Sequence, residues 1–557
     1  MNRAQFGRAL VVVAIIVALG VLIVLPLGSV LLDSIFVGDG NARHLSAQNF
    51  LTVAVQLRYW EALGNTVLIA AGATLIATAT GVALAWVLVR TNAPFAGALE
   101  SLAVLPIFIP PFVGAFAWLL LAAPRIGLAN VALRNLGLPE PFDVYTRFGI
   151  VCVIGIYLAP YVLMIVASAL RSMDPSLEEV GQVAGLNRWR VAATITLPVV
   201  APSILSGAVL AFVIAIGLFG TPVLLGWPNQ ILVLTSRIYL ESQQVPPAYG
   251  VMAVLAIYLM VMSGAVVFLQ QWAIRGRNFI TVTGKGFRPR VVAFGRARIV
   301  LSGAVAAYVA LTVVVPVLVI VAAALSTYAW SGRLTWSNMT YLWTSDDVRE
   351  TLRNSVVISV VSATAAAFLG LCVAWLVCRT RTKGRHLLEY LVLMPLSVPS
   401  IAFGLGVAAL WLRLPWDLYD TIWIIVIGFV GRFSGYAVRS ISGSLVQVHP
   451  ELEESARVCG YGPIRALCRI TLPLVWPSIT ASWILLYSIF MTELSMVLML
   501  YNADIRTFSI LTFDVWTAGY FTRVASLSLL QLVVGVVVMS LVNRTGRRRP
   551  VAPPAAA

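Results

Sequence analysis

Apolar residues run along this chain in long blocks rather than in alternation, and twelve of the blocks are long enough to cross a hydrocarbon core of about 30 Å as helices. They cover residues 9-31, 62-89, 101-122, 148-170, 203-225, 249-273, 299-325, 354-378, 388-411, 421-441, 478-500 and 523-542. Continuous rather than alternating hydrophobicity excludes a transmembrane β-barrel. The first block is too long for a signal-peptide core and has no small-residue cleavage site, so it reads as a retained span. The pattern therefore predicts an all-α, polytopic membrane protein.

The blocks come in two similar sets. Shifted by 289 positions, Asn65 matches Asn354, Gly81 matches Gly370, Ala85-Trp86 matches Ala374-Trp375 and Arg90-Thr91 matches Arg379-Thr380. Pro106 and Pro110 likewise match Pro395 and Pro399. Further along the shift is 275, so the first half carries 14 extra residues, placed in an outer loop around Ala123 to Thr146. Six spans per half is an even number, so both halves enter the membrane in the same sense and form parallel repeats. The expected organisation is a first repeat at 1-274, a cytoplasmic linker at 275-298, a second repeat at 299-544 and a disordered Pro/Ala-rich tail at 545-557.

Composition supports this picture without changing it: of 557 residues 60% are apolar and 11% charged, with a mean hydropathy of +0.93. The net charge of +16 would suggest a nucleic-acid partner, but its location decides otherwise. Basic residues such as Arg3, Arg8, Arg90, Arg275, Arg379, Arg381 and Arg547 to Arg549 fall on the side that holds both termini, which is the positive-inside bias of a cytoplasmic face. No nucleic acid is expected, and membrane lipid is. The five cysteines have neither a disulfide framework nor metal spacing, and no two of the three histidines are close in sequence.

One polar segment is duplicated more faithfully than the spans. It runs Glu179, Gly185, Ile195-Thr196-Leu197-Pro198 in the first half and Glu454, Gly460, Ile470-Thr471-Leu472-Pro473 in the second, with Glu178 matching Glu453. Within the loops 174-204 and 449-479, Asp174 is placed to cap a short helix, Pro175 suits its first turn and the glutamates sit near its positive end. His449 replaces the aspartate in the second copy and weakens that cap. Gly185 and Gly460 supply a left-handed stop. Asn187, or Gly462-Pro463, then starts a second helix expected to end near the Leu-Pro pair, ahead of the next span. Two near-identical cytoplasmic loops suggest docking onto a partner with two equivalent sites.

The glutamate-to-glycine-to-Leu-Pro spacing resembles the EAA motif of membrane subunits of binding-protein-dependent ABC importers, although the alanines are only partly kept at Val180-Gly181 and Ser455-Ala456. Two copies in one chain, with Phe219-Gly220-Thr221-Pro222 and the linker Thr281 to Pro289, are similar to the fused permeases of the ferric-iron class. The resemblance implies a type I importer permease fold of about twelve helices in the bacterial inner membrane, with both termini cytoplasmic. It implies ATPase coupling through Glu178, Glu179, Gly185, Glu453, Glu454 and Gly460. Two copies of an ATP-binding subunit inside and a periplasmic solute-binding protein outside are the implied partners. No cofactor is expected on this chain, which lacks a phosphate-binding loop; ATP and Mg belong to the partner subunits, and the chain is not expected to be an enzyme. Ferric iron is the expected solute, with thiamine, polyamine, aminoethylphosphonate or sugar phosphate as alternatives. A proton-coupled carrier is the rival class, but it gives the twin loops no role.

Ionisable residues inside spans default to functional candidates. Arg432 has Tyr157 as its counterpart and Glu493 has Leu218, so both charges belong to one half only. Together with Tyr487 and Tyr501 they are the candidate lining of the translocation pathway. The competing structural reading has Arg432 bonding carbonyls between helices and Glu493 reaching the outer interface.

Overall fold

Three helices pack side by side in each half: a long helix, Leu57–Arg90 or Asp346–Arg379, a fourth helix, Arg147–Ser172 or Ile422–Gln447, and a fifth helix, Ala192–Gly217 or Leu467–Thr492. Small residues set the distance between them, since a Cβ on Gly81 would lie 2.7 Å from the Ala159 carbonyl oxygen, and one on Gly370 would lie 2.5 Å from Ala437 Cβ. Close backbone approach over small residues is how helices gain contact in lipid, where hydrophobicity alone does not drive them together. The computed structural model describes residues 12–38, 44–274, 294–328, 330, 332–380 and 384–547. Most of the expected linker and the tail beyond residue 547 lie outside the described residues.

The repeat is preserved in the helices themselves. The long helices both have 34 residues, the fourth helices 26, and the short helices of the duplicated loop, Ser176–Val183 and Glu451–Val458, 8 each. Between the bent third span and the fourth helix the chain runs from Ala123 to Thr146 in the first half and only from Leu412 to Thr421 in the second. The extra length holds a helix of its own, Leu128–Asn135.

Nine described helices are long and apolar enough to span a membrane, or eleven if two bent pairs count as one span each. The expected twelfth corresponds to Phe521–Arg547, whose apolar part is Phe521–Val537. The third and ninth blocks are not straight spans. They are the pairs Ala96–Phe108 with Pro111–Ala122, bent by 99°, and Arg385–Ser397 with Ser400–Trp411, bent by 113°. Ile109 and Val398, just before Pro110 and Pro399 at the breaks, are extended with ψ of 120° and 129°, as expected because proline disfavours helical backbone in the residue before it.

A second departure concerns the Leu-Pro pairs. Each fifth helix begins eleven residues earlier than the hydropathy blocks indicate and passes through its Leu-Pro pair without stopping. The ring is accommodated by a π turn immediately before it, Ala192–Thr196 ahead of Leu197-Pro198 and Leu467–Thr471 ahead of Leu472-Pro473. The first helix of each half, Val12–Ile35 or Ala297–Ala324, uses the same device at Gly20–Val24 before Pro26 and at Ala310–Val314 before Pro316. A single wide turn removes the clash with the carbonyl one turn back while keeping most backbone groups bonded, which a lipid environment requires.

The first helices are exchanged. Leu25–Ile35 packs on Ser400–Trp411 of the other half as well as on its own half's last helix, Tyr249–Ile274. Val315–Ala324 packs correspondingly on Pro111–Ala122 and on Phe521–Arg547. Asp33, buried near the end of the first helix, pairs with Arg413 of the second half, and Tyr308 donates across the halves to the Ile156 carbonyl at 2.9 Å.

Candidate coupling loops and translocation pathway

A helix of 34 residues is about 51 Å long, so each long helix overshoots the hydrocarbon core of about 30 Å. Its last residue, Arg90 or Arg379, thereby arrives beside the duplicated loop. There Arg90 Nε lies 3.6 Å from Glu178 Oε1, and Arg379 Nε lies 3.2 Å from Glu453 Oε1. Thr196 and Thr471, inside the π turns, donate to the same carboxylates at 2.7 and 2.6 Å. Both glutamates are buried. The first glutamate of each loop therefore faces inward and ties three segments together: the long helix, the loop helix and the start of the fifth helix. Arg90 and Arg379 are buried at these positions, so they serve the pairs as well as the charge bias that the sequence displays.

The two clamps differ in quality. Arg379 Nη2 also donates to the Leu445 and Val448 carbonyls at 2.9 and 2.6 Å, closing the exposed end of the fourth helix. Arg90 makes no hydrogen bond among the described residues, although it is only 1% exposed.

The loop helices end as their glycines require. Gly185 and Gly460 both have φ of +85°, and the next residues, Leu186 and Tyr461, donate back to the Gly181 and Ala456 carbonyls at 3.0 Å. This is the left-handed helix stop that only glycine enters without strain. At the other end Asp174 Oδ1 accepts from Ser176 N at 2.9 Å, whereas His449 Nδ1 accepts from Glu451 N at 3.4 Å, so the second cap is the weaker. Asn187 Oδ1 accepts from Arg190 N at 2.9 Å and opens the following helix.

The loop helices present exposed apolar residues among polar ones. Leu177 and Leu452 are exposed, Val183 and Val458 are each 89% exposed, and Glu179 and Glu454 lie on the surface beside them. The same surface thus appears twice, with the buried glutamates beneath it.

Of the four pathway candidates, Arg432 and Glu493 come within electrostatic reach of each other. Arg432 is 7% exposed, its Nε and Nη1 have no hydrogen-bond partner among the described residues, and its guanidinium carbon sits 5.1 Å from the Phe433 ring centre. The reading in which it bonds carbonyls between helices is therefore not met for those two nitrogens. Glu493 is half-buried at the residue where the fifth helix stops, with φ −68° and ψ 119°; its Oε1 accepts from Met496 N at 3.1 Å. Its counterpart Leu218 ends the first-half helix in the same way, at φ −67° and ψ 133°. Tyr487 stacks on Trp483 at 5.5 Å, and Tyr501 follows the short turn Val497–Met499. A cavity of about 650 Å³ opens instead at the other end of the first half, where Ser168 and Ser172 of the fourth helix face Val199 and Ser203 of the fifth. It is lined by none of the four candidates.

After the fifth helix the chain dips inward and returns through a short helix, Leu234–Ser242 or Phe508–Thr517. The matched asparagines account for its position. Asn65 Nδ2 donates to the Leu232 carbonyl at 3.0 Å and Thr66 Oγ1 accepts from Leu234 N at 2.9 Å. Asn354 Nδ2 donates to the Arg506 carbonyl at 3.3 Å and Ser355 Oγ accepts from Phe508 N at 2.7 Å. Asn65 and Asn354, like Arg90, Arg379, Thr196 and Thr471, were signalled by repetition in the sequence, but their partners lie too far along the chain for spacing to reveal them.

The family model for the inner membrane component of binding-protein-dependent transport systems matches twice, over residues 77–278 and 366–549. The chain belongs to that family, as a fusion of two repeats, and is a multi-pass permease component. Its relatives include the putative ferric transport system permease protein FbpB 1 of Haemophilus influenzae, 24% identical over 88% of this chain and 77% of that protein. They also include the Fe(3+)-transport system permease protein FbpB 2 of the same organism, 24% identical over 83% of this chain and 86% of that protein. The molybdenum transport system permease protein ModB of Escherichia coli is 32% identical over 29% of this chain and 70% of its own length.

Proposed function

We propose that this chain forms the translocation pathway of an ABC importer for ferric iron. Two ATP-hydrolysing subunits dock on Ser176–Val183 and Glu451–Val458, and a periplasmic binding protein delivers the solute from outside. The observation that carries the coupling is the doubled loop surface: exposed Leu177 and Val183, or Leu452 and Val458, over a buried glutamate clamped to two membrane helices. Movement imposed on a loop helix by ATP-driven closure of the partners passes through Glu178 or Glu453 into the long and fifth helices. The halves then rock between inward- and outward-open states in an alternating-access cycle. In this reading the N- and C-termini lie on the cytoplasmic side. ATP and Mg act in the partner subunits, and this chain binds no cofactor of its own.

Support for iron comes from the two ferric permease relatives and from Glu493, a hard oxygen donor at the end of the fifth helix. A second reading, an oxyanion solute, is favoured by the unpaired nitrogens of Arg432 and by the molybdenum permease relative. ATPase activity of the reconstituted complex separates them. Stimulation only by an iron-loaded binding protein supports the first, stimulation by a molybdate- or phosphonate-loaded protein supports the second, and failure to bind any ATPase subunit removes both.

A further inference from the structure

Tyr239 and Phe513 hold equivalent places in the two return helices, counted from the anchored residues Leu234 and Phe508. Their ring centres are 5.7 Å apart, with the planes at 87°. A residue that touches its own counterpart lies on the axis relating the repeats, and in a permease of two parallel halves a solute passes along that axis. Phe219, from the loop after the first-half fifth helix, closes the group, 5.3 Å from Tyr239 and 5.7 Å from Phe513. Phe112 and Trp516 flank it, each within 6.3 Å of Phe513. Phe219, Phe513 and Phe112 have almost no accessible surface. Beside them the two chain reversals meet directly, a Cβ on Gly220 lying 3.6 Å from Leu494, which is the counterpart of Phe219.

The depth of this cluster follows from the fifth helix. That helix is fixed at the cytoplasmic face by the bond from Thr196 to Glu178, and the 21 residues Leu197–Gly217 then climb about 32 Å, the thickness of the hydrocarbon core. The rings therefore sit at the outer end of the pathway.

We propose that Phe219, Tyr239 and Phe513 form the outer gate of this permease, closed in this structure, and that it opens when the two return helices separate. Aromatic side chains suit the task, because large flat faces seal a gap with few rotatable bonds and an apolar constriction excludes hydrated ions by dewetting. Edge-to-face contacts are also individually weak, so a modest drive parts them. The inference rests on the chain being a permease and is independent of which solute it carries.

The test uses the full complex with its ATPase subunits in proteoliposomes loaded with calcein, and follows passive Co²⁺ entry by quenching, without ATP or binding protein. The wild-type complex is expected to match protein-free liposomes, and the Phe219→Ala/Tyr239→Ala/Phe513→Ala variant to admit Co²⁺ at least tenfold faster. An equal rate in a variant that still assembles with its ATPase subunits would overturn the gate. A second measurement covers misfolding of that variant. Tyr239→Cys/Phe513→Cys, in a background without the native cysteines, is joined by a short bifunctional thiol reagent. Cross-linking is expected to abolish binding-protein-dependent transport reversibly while basal ATP hydrolysis continues. Full transport by the cross-linked protein would refute the gate, whatever solute is delivered.

Discussion

Arg379 reaches Glu453 at 3.2 Å and also closes the fourth helix through two backbone carbonyls, whereas its counterpart Arg90 stands 3.6 Å from Glu178 and holds nothing else. The two loops are thus chemically alike and mechanically unequal. Removing one partner from a buried ion pair leaves the other charge uncompensated and costs about 3–5 kcal/mol. Both Arg90→Ala and Arg379→Ala are expected to destabilise, and Arg379→Ala to do so more because two hydrogen bonds to carbonyls go with its ion pair. Thermal melting of the purified protein reads this directly, and equal losses would show that the added carbonyl bonds contribute nothing.

Gly185 and Gly460 can be challenged without a clash, since nothing lies within 4 Å of a Cβ at either position. The penalty is confined to the left-handed backbone, about 1–2 kcal/mol per residue. Gly185→Leu/Gly460→Leu is therefore expected to leave the membrane helices assembled but to displace both loop ends. The number of solute molecules imported per ATP should fall at least fivefold with hydrolysis largely retained. An unchanged ratio would remove the coupling assignment.

Val183 and Val458 contribute little to folding because both side chains are 89% exposed, so Val183→Asp/Val458→Asp should change stability by less than about 0.5 kcal/mol. Placed at an apolar point of the proposed docking surface, the same change is expected to abolish co-purification of the ATPase subunits. Normal co-purification would move the docking site elsewhere.

Glu493→Gln keeps the shape of the side chain and removes its charge, and Arg432→Met does the same for the buried guanidinium. Each is expected to lower binding-protein-dependent uptake more than tenfold while basal ATPase activity persists. If the solute is a cation, Glu493→Gln should be the more harmful; an oxyanion reverses the order. Wild-type uptake by both variants would take the pair out of the pathway.

The two-repeat plan and the duplicated loops were legible because their patterns are short in sequence and written twice. Hydropathy located the third and ninth blocks but missed their bends, since it counts apolar residues and ignores backbone direction, although Pro110 and Pro399 were in plain view. The Leu-Pro pairs misled in the opposite sense: a π turn ahead of each proline lets the helix continue through it, and Thr196 and Thr471 sit inside those turns. Tyr239 and Phe513 were illegible, because 273 residues separate them and nothing local marks a residue that will meet its own counterpart.

In an assembly of two identical subunits every buried charge occurs twice, at positions related by the two-fold axis, so a lone arginine beside the route of a solute is impossible there. A single chain that carries Arg432 opposite Tyr157, and Glu493 opposite Leu218, escapes that rule. Covalent fusion thereby permits a binding locus of odd stoichiometry, one donor and one acceptor approached from one flank, and a solute can be handed over in a single orientation.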